Sequence, residues 1–273
     1  MSCKLMMGVM LHLHGDDADG AMAKVRGLEL PSCQVGWPPN APLEAGQALR
    51  AAADANDVTV TTLWAALPGP AVWNFTEGPV TIGLVPPEWR AERVKTLQQA
   101  AVVAGQIGVQ SITTHVGFIP EFAGDQLYVD TVAALKDVAT ACLDSGVEFW
   151  FETGQETPIT LLRTIEDIGT GNLGINLDPA NLLMYGKGNP VDALDVFGQW
   201  VRGVHAKDGE YPTDGSNLGV EKPMGEGRVN FPVLVPKLKG LGYCGALTIE
   251  REISGEKQIE DIQRAVAILD PWC

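Results

Sequence analysis

Residues 147–178 read VEFWFETGQETPITLLRTIEDIGTGNLGINLD. Two short apolar runs, Val147–Glu152 and Leu173–Asp178, each end on a carboxylate, and a stretch of helical length separates them. The same unit recurs outward in both directions. Further apolar runs stand at Leu5–Leu13, Leu28–Val35, Val58–Ala66, Gln110–His115, Val201–Ala206 and Gly245–Glu250. Several are rich in Val, Ile and Leu, a pattern that predicts strands buried by aliphatic side chains on both faces of a parallel sheet. Between them, spacings of three and four predict helices over Glu88–Gln106, Asp125–Ser145 and Glu256–Leu269. Gly108, Gly146 and Gly171 punctuate the passage from helix to strand. Eight strands alternating with helices, at roughly 34 residues per unit, predict a single (β/α)8 barrel domain over residues 1–273. An open doubly wound sheet fits less well, because the glycine-rich turn it needs after the first strand is missing. Two long connections, Pro68–Pro87 and Lys207–Val229, follow strands and so belong at the C-terminal rim, where barrel sites are assembled.

The composition agrees with a folded domain. Of 273 residues 45% are apolar and 19% charged, which excludes a disordered chain. Lys and Arg number 19 against 34 Asp and Glu, for a formal charge of −15. Such a surface repels phosphate backbones and anionic membranes, so neither nucleic acid nor a membrane is expected as partner. Cys3, Cys33, Cys142, Cys244 and Cys273 form no CxxC pair and read as reduced thiols. There is no apolar run of membrane length and no signal-peptide pattern at the N-terminus, so the expected location is the cytoplasm.

The chemistry gathers at strand ends. The fourth run closes on Thr114-His115, the fifth on Phe151-Glu152, the sixth on Leu177-Asp178, the seventh on Val204-His205 and the last on Ile249-Glu250. Taken singly, each is an ordinary helix cap, turn residue or structural histidine. A barrel brings them to one mouth. Three carboxylates repel one another unless a cation or shared protons compensate. Oxygen ligands with one imidazole and no sulfur suit a hard or borderline divalent ion.

Phe151-Glu152-Thr153-Gly154, Asn176-Leu177-Asp178-Pro179-Ala180-Asn181, Val204-His205-Ala206-Lys207-Asp208, Gly225–Phe231 and Thr248-Ile249-Glu250 follow one another in this order, with Gly242-Tyr243 before the last. This ordered set resembles the xylose-isomerase-like sugar isomerase/epimerase barrels, which include ketose 3-epimerases, hydroxypyruvate isomerase and inosose dehydratase and are related to endonuclease IV. The resemblance implies that Glu152, Asp178, His205 and Glu250 bind one divalent metal, Mn²⁺ first, with Mg²⁺, Co²⁺, Zn²⁺ or Ni²⁺ as alternatives. Two departures stand out. Asn181 occupies a place where many members carry a histidine, and asparagine cannot shuttle a proton at neutral pH. The chain's four histidines (His12, His14, His115, His205) do not supply the additional ligands of a nuclease's three-metal cluster.

The expected function is therefore metal-dependent isomerisation or epimerisation of a sugar. A proton moves at a carbon beside a carbonyl through a metal-stabilised enediolate, and the resemblance to the 3-epimerases implies Glu152 and Glu250 as acid and base. His115, Asn181, Lys207, Asp208, Trp64 and Arg228 are the candidates for substrate contact. For several, a plainer role competes. His115 can hold the substrate, orient Glu152 or simply pack. Asp208 can fix a ring or a hydroxyl, or make a turn. Trp64, like Trp37, can stack on a sugar or lie in the core, and Glu156 can face the pocket or start a helix. Arg228 alone makes no phosphate cradle, so an unphosphorylated sugar or keto-sugar is expected. A lyase or dehydratase acting on a keto-sugar, keto-glycoside or inosose, through the same enolate chemistry, is the second reading, and a non-catalytic sugar-binding barrel the third. The apolar tail Leu269–Cys273 leaves room for a homo-oligomer.

Overall fold

In a computed structural model of the protein, which describes residues 4–13 and 17–273, the strands are β1 (Met6–His12), β2 (Ser32–Trp37), β3 (Thr59–Ala65), β4 (Ser111–Thr114), β5 (Glu148–Glu152), β6 (Leu173–Leu177), β7 (Val201–Ala206), β8 (Asp208–Gly209), β9 (Glu221–Lys222) and β10 (Ala246–Ile249). Eight of them, all but β8 and β9, close into one parallel barrel in the order β1-β10-β7-β6-β5-β4-β3-β2. The helices between them are α1 (Ala18–Gly27), α2 (Leu43–Ala55), α3 (Gly78–Thr81), α4 (Pro87–Gln106), α5 (Gln126–Asp144), α6 (Pro158–Ile168), α7 (Pro179–Met184), α8 (Pro190–Phe197), α9 (Phe231–Gly240) and α10 (Glu256–Leu269). The predicted (β/α)8 barrel is the fold. Cys3 and His14, both weighed in the sequence, lie outside the described residues. No described helix is long and apolar enough to cross a membrane.

Predicted strand and helix bounds fall within one residue of these, with β2 the exception. Leu28–Leu30 were expected to open that strand, but α1 runs on to Gly27 and the Leu28 N–H still bonds to the Lys24 and Val25 carbonyls. Glu29 then turns through a left-handed conformation (φ 58°), and pairing begins only after Pro31.

The barrel interior corrects a second expectation. Both faces of the strands are buried, but only the outer face is aliphatic. Val35, Leu63, Ile112, Phe151, Ile175, Val204 and Leu247 join Leu97, Leu135, Leu161 and Leu234 of the helices in one core. The buried polar residues of the same strands, Gln34, Asn176 and His205 among them, meet inside the barrel, where β2 contacts β6 and β7 across the lumen. Alternation with period two sends one set of side chains to each face, and closure gathers the polar set.

Each rim loop is fastened by a buried charge. Arg93 of α4 donates to four carbonyls of the Pro68–Pro87 connection: Pro68 (3.0 Å), Pro70 (2.8 Å), Thr81 (2.8 Å) and Gly83 (2.6 Å). Asp208 does the converse for the Lys207–Val229 connection, accepting from the backbone N–H groups of Gly209, Gly225, Gly227 and Val229 at 2.9–3.1 Å. The chain after β4 presses on the first loop so closely that a Cβ on Gly83 (φ 74°) would collide with the Val116 carbonyl. A Cβ on Gly117 (φ 101°) would meet that of Ile82. Only glycine accepts both the conformation and the approach.

Candidate active site

Glu152, Asp178, His205 and Glu250 arrive from β5, the end of β6, β7 and the end of β10, which are consecutive in the barrel. Their ligand atoms all lie within 4.8 Å of one another. His205 Nδ1 is the centre of the group. It stands 3.2 Å from Glu152 Oε1, 3.2 Å from Glu250 Oε2 and 3.9 Å from Asp178 Oδ2. Asp178 divides its oxygens: Oδ1 caps α7 by accepting from the Asn181 N–H at 2.8 Å, while Oδ2 turns inward. The Thr153 hydroxyl locks the Asp178 backbone on both sides, at 2.8 and 2.9 Å.

The group fits a divalent cation on its own evidence. His205 Nδ1 and Asp178 Oδ2 are buried, and neither finds a hydrogen bond of acceptable geometry. Buried polar atoms are seldom left so. Three carboxylates and one imidazole are also the donors that Mg²⁺, Mn²⁺ or Zn²⁺ accept.

Burial and neighbouring charges oppose each other throughout the cluster. Burial works to raise the Glu152 carboxyl, but His115 and His205 outweigh it and hold the group below the usual range. Glu250 is held well below that range, because Lys207 and His205 outweigh its burial. Asp178 goes the other way: burial pushes it up to about 7 against the pull of Lys207. Burial opposes the charge of His205, yet Glu250 and Glu152 raise its pKa well above the ordinary value. Lys207 is likewise raised despite its burial, by Glu250, Asp178 and Glu252.

A cavity of about 300 Å³ opens over the cluster. Of the residues singled out in the sequence, Glu152, Glu250, Trp64, His115 and Asn181 line it. The Trp64 indole N–H donates to Glu152 Oε2, and His115 Nε2 lies 3.4 Å from Glu152 Oε1. Lys207 sits beneath, its Nζ 3.4 Å from Asp178, 3.2 Å from Glu250 and 2.6 Å from Glu252. Asp208 is turned to the loop amides, Arg228 is exposed with its backbone N–H on the Gly209 carbonyl, and neither lines the cavity. Trp37 belongs to the outer core. Glu156 is buried with both oxygens unpaired, just ahead of α6, whose cap is Thr157.

Sequence reasoning missed His12, Trp73, Met184, Tyr185, Leu218 and Glu252, which complete the lining. Most stand in or beside irregular connections, where no periodicity marks them. It also missed Gln34, whose Oε1 lies 2.9 Å from His205 Nε2; a polar residue between Cys33 and Val35 was the available signal.

Comparison with known proteins agrees with this architecture. The xylose isomerase-like TIM barrel family matches residues 19–272. A xylose isomerase domain protein from Planctomyces limnophilus superimposes with a TM-score of 0.92 at 34% identity, over 98% of this chain and 97% of that one. A D-tagatose 3-epimerase-like protein does so with a TM-score of 0.72 at 21% identity, over 98% and 97%. Ketose 3-epimerases recur among the structures of this shape at 12–17% identity, a likeness of fold alone. The uncharacterized protein MJ1311 of Methanocaldococcus jannaschii is 28% identical over 192 residues, which is 66% of this chain and 61% of that protein. The chain thus spans about three fifths of that relative's length. With its eight-stranded closure and its family match over nearly the whole length, the chain belongs to the xylose isomerase-like TIM barrels.

Proposed function

We propose that the protein is a divalent-metal-dependent sugar isomerase or epimerase that moves a proton at a carbon beside a carbonyl, with Glu152 and Glu250 as acid and base. One observation carries the reading. Two carboxylates from separated strands, β5 and β10, flank the same buried imidazole nitrogen at 3.2 Å each and both open onto the cavity. Glu152, Asp178, His205 and Glu250 would hold the cation, Mn²⁺ by preference. When bound, it supplies Lewis-acid polarisation of the substrate carbonyl and charge to balance the developing oxyanion.

The side chains do the rest. One carboxylate takes the proton from carbon, the C–H electrons form the enediolate double bond, and the carbonyl π electrons move to oxygen. For isomerisation the same carboxyl returns the proton to the former carbonyl carbon, while the neighbouring hydroxyl passes its proton to the former carbonyl oxygen and becomes the new carbonyl. For epimerisation the opposite carboxyl delivers a proton to the other face of the same carbon as the carbonyl re-forms. One of the two must therefore take up a proton with the substrate, against the charges that hold both low. Trp64 holds Glu152 Oε2 through its indole N–H, and Oε1 faces His205 and His115. Asn181 offers an amide to a hydroxyl, and Trp64, Trp73 and Tyr185 offer faces for a sugar ring.

The substrate is an unphosphorylated sugar or keto-sugar. The buried cation beneath the cavity, Lys207, is already engaged by Asp178, Glu250 and Glu252, and Arg228 lies away from it. A cytoplasmic location and a small-molecule substrate, with no nucleic-acid or membrane partner, complete the proposal. The test is incubation of Mn²⁺-loaded protein with unphosphorylated ketoses and 3-keto-glycosides in D₂O, followed by NMR and mass spectrometry. Deuterium entering a carbon next to the carbonyl, lost in Glu152→Gln, is the expected result. Net loss of water would move the assignment to a lyase. No exchange in any member of the panel would favour a binding protein.

A further inference from the structure

The metal-ligand reading of His205 leaves open what turns its ring the right way. An imidazole binds a cation only through a nitrogen that carries no proton, so the opposite nitrogen must keep the hydrogen. In this barrel Nδ1 faces the three carboxylates and Nε2 faces Gln34 across the lumen.

The Gln34 amide lies between Asn176 and His205. Gln34 is buried, and its Nε2 donates to Asn176 Oδ1 at 2.9 Å. With the NH₂ group committed to Asn176, the carbonyl is left for His205, where Oε1 lies 2.9 Å from Nε2. An acceptor there demands an N–H from the imidazole. Room for Asn176 comes from β7 itself: a Cβ on Gly203 would come within 2.4 Å of Asn176 Oδ1.

We propose that Gln34 is a positioning residue for the metal centre. Held by Asn176, it accepts the Nε2–H of His205 and so keeps the Nδ1 lone pair aimed at the cation. This rests on the ligand assignment above and adds to it a residue 171 positions away in sequence from the histidine it orients. The chain Asn176–Gln34–His205 links three strands, β6, β2 and β7, so the ring is fixed from across the barrel and not by its own loop.

Two measurements test it. In competition titrations with Mn²⁺ and Zn²⁺, Gln34→Leu is expected to bind each metal about 10–100-fold more weakly than the wild type. Gln34→Glu retains an acceptor for Nε2–H, and Asn176 can turn its otherwise unpaired Nδ2 toward it. That variant is expected to bind within about threefold of the wild type. Imidazole ¹⁵N NMR of Zn²⁺-loaded wild type, which needs no variant to fold, is expected to show His205 protonated at Nε2 and metal-shifted at Nδ1. Wild-type affinity in a Gln34→Leu protein of unchanged thermal stability would overturn the role of Gln34 alone, whereas a proton on Nδ1 in the loaded protein would overturn His205 as a ligand as well. A wild type that binds neither metal would overturn the ligand assignment and this inference together.

Discussion

His205 and Asp178 show how far single residues determine the behaviour of the centre. Glu250 and Glu152 keep a proton on His205 against its burial, and burial lifts Asp178 to about 7, so it is partly protonated near neutrality. Cation uptake must displace these protons, so affinity rises with pH. Calorimetric titration in buffers of different ionisation enthalpy is expected to show at least one proton released per Mn²⁺ at pH 6.5. The dissociation constant is expected to fall about tenfold per pH unit for each proton displaced. A pH-independent affinity between 6 and 8 would contradict the coupling. Glu156 gives a stability test of opposite character. Burial raises its carboxyl to about 8, so the folded chain keeps a proton that the unfolded chain releases above its ordinary value of about 4.3. Its contribution is complete below that ordinary value and is lost as pH climbs through about 8. Glu156→Gln is therefore expected to raise Tm by roughly 3–6 °C at pH 9 and to change it little at pH 4, as read by thermal unfolding. The four proposed ligands were legible because they stand at or beside strand ends, where His115 stands too, and in motifs whose order resembles the family's. Gln34 was visible as a polar residue, but its partner lies on another strand and only closure brings the two together.

At the scale of elements, the strands were legible to within a residue because their apolar periodicity is strong. The start of β2 was not, because Leu28 and Leu30 are as apolar as any strand residue while the helix end and the left-handed Glu29 claim them. The rim loops were legible as loops and as neighbours of the site, but not in shape. Their form depends on Arg93 and Asp208 binding backbone groups many residues away, which no local pattern announces. Asp208, expected from sequence to face the pocket or a turn, is the better lever on these loops. Replacing it by Asn removes the charge from four N–H···O contacts and is expected to cost about 1–3 kcal/mol. The expected pattern is a lower denaturation midpoint and a raised KM, with metal content unchanged. Loss of metal in Asp208→Asn would instead tie the loop clamp to the centre itself.

The whole molecule divides its labour around the barrel. The candidate ligands come from β5, β6, β7 and β10, one contiguous arc of strands. The opposite arc supplies Gln34, Trp64 and His115, which orient ligands or face the cavity. The ligand arc carries the ordered motifs and could be read from the chain. Of the opposite arc Trp64 and His115 could be singled out from the chain, but Gln34 could not, since its contact with His205 exists only once the barrel closes. A formal charge of −15 makes it costly to assemble three carboxylates here without a counter-charge. Lys207 supplies one positive charge, and a divalent cation would supply the remainder. The most direct test of the central claim is elemental analysis of the wild type and of Glu250→Gln after loading with Mn²⁺ and desalting. The account predicts about one metal ion per chain in the wild type and a large loss in the variant. Near-zero metal in the wild type, or equal loading of both proteins, would contradict it.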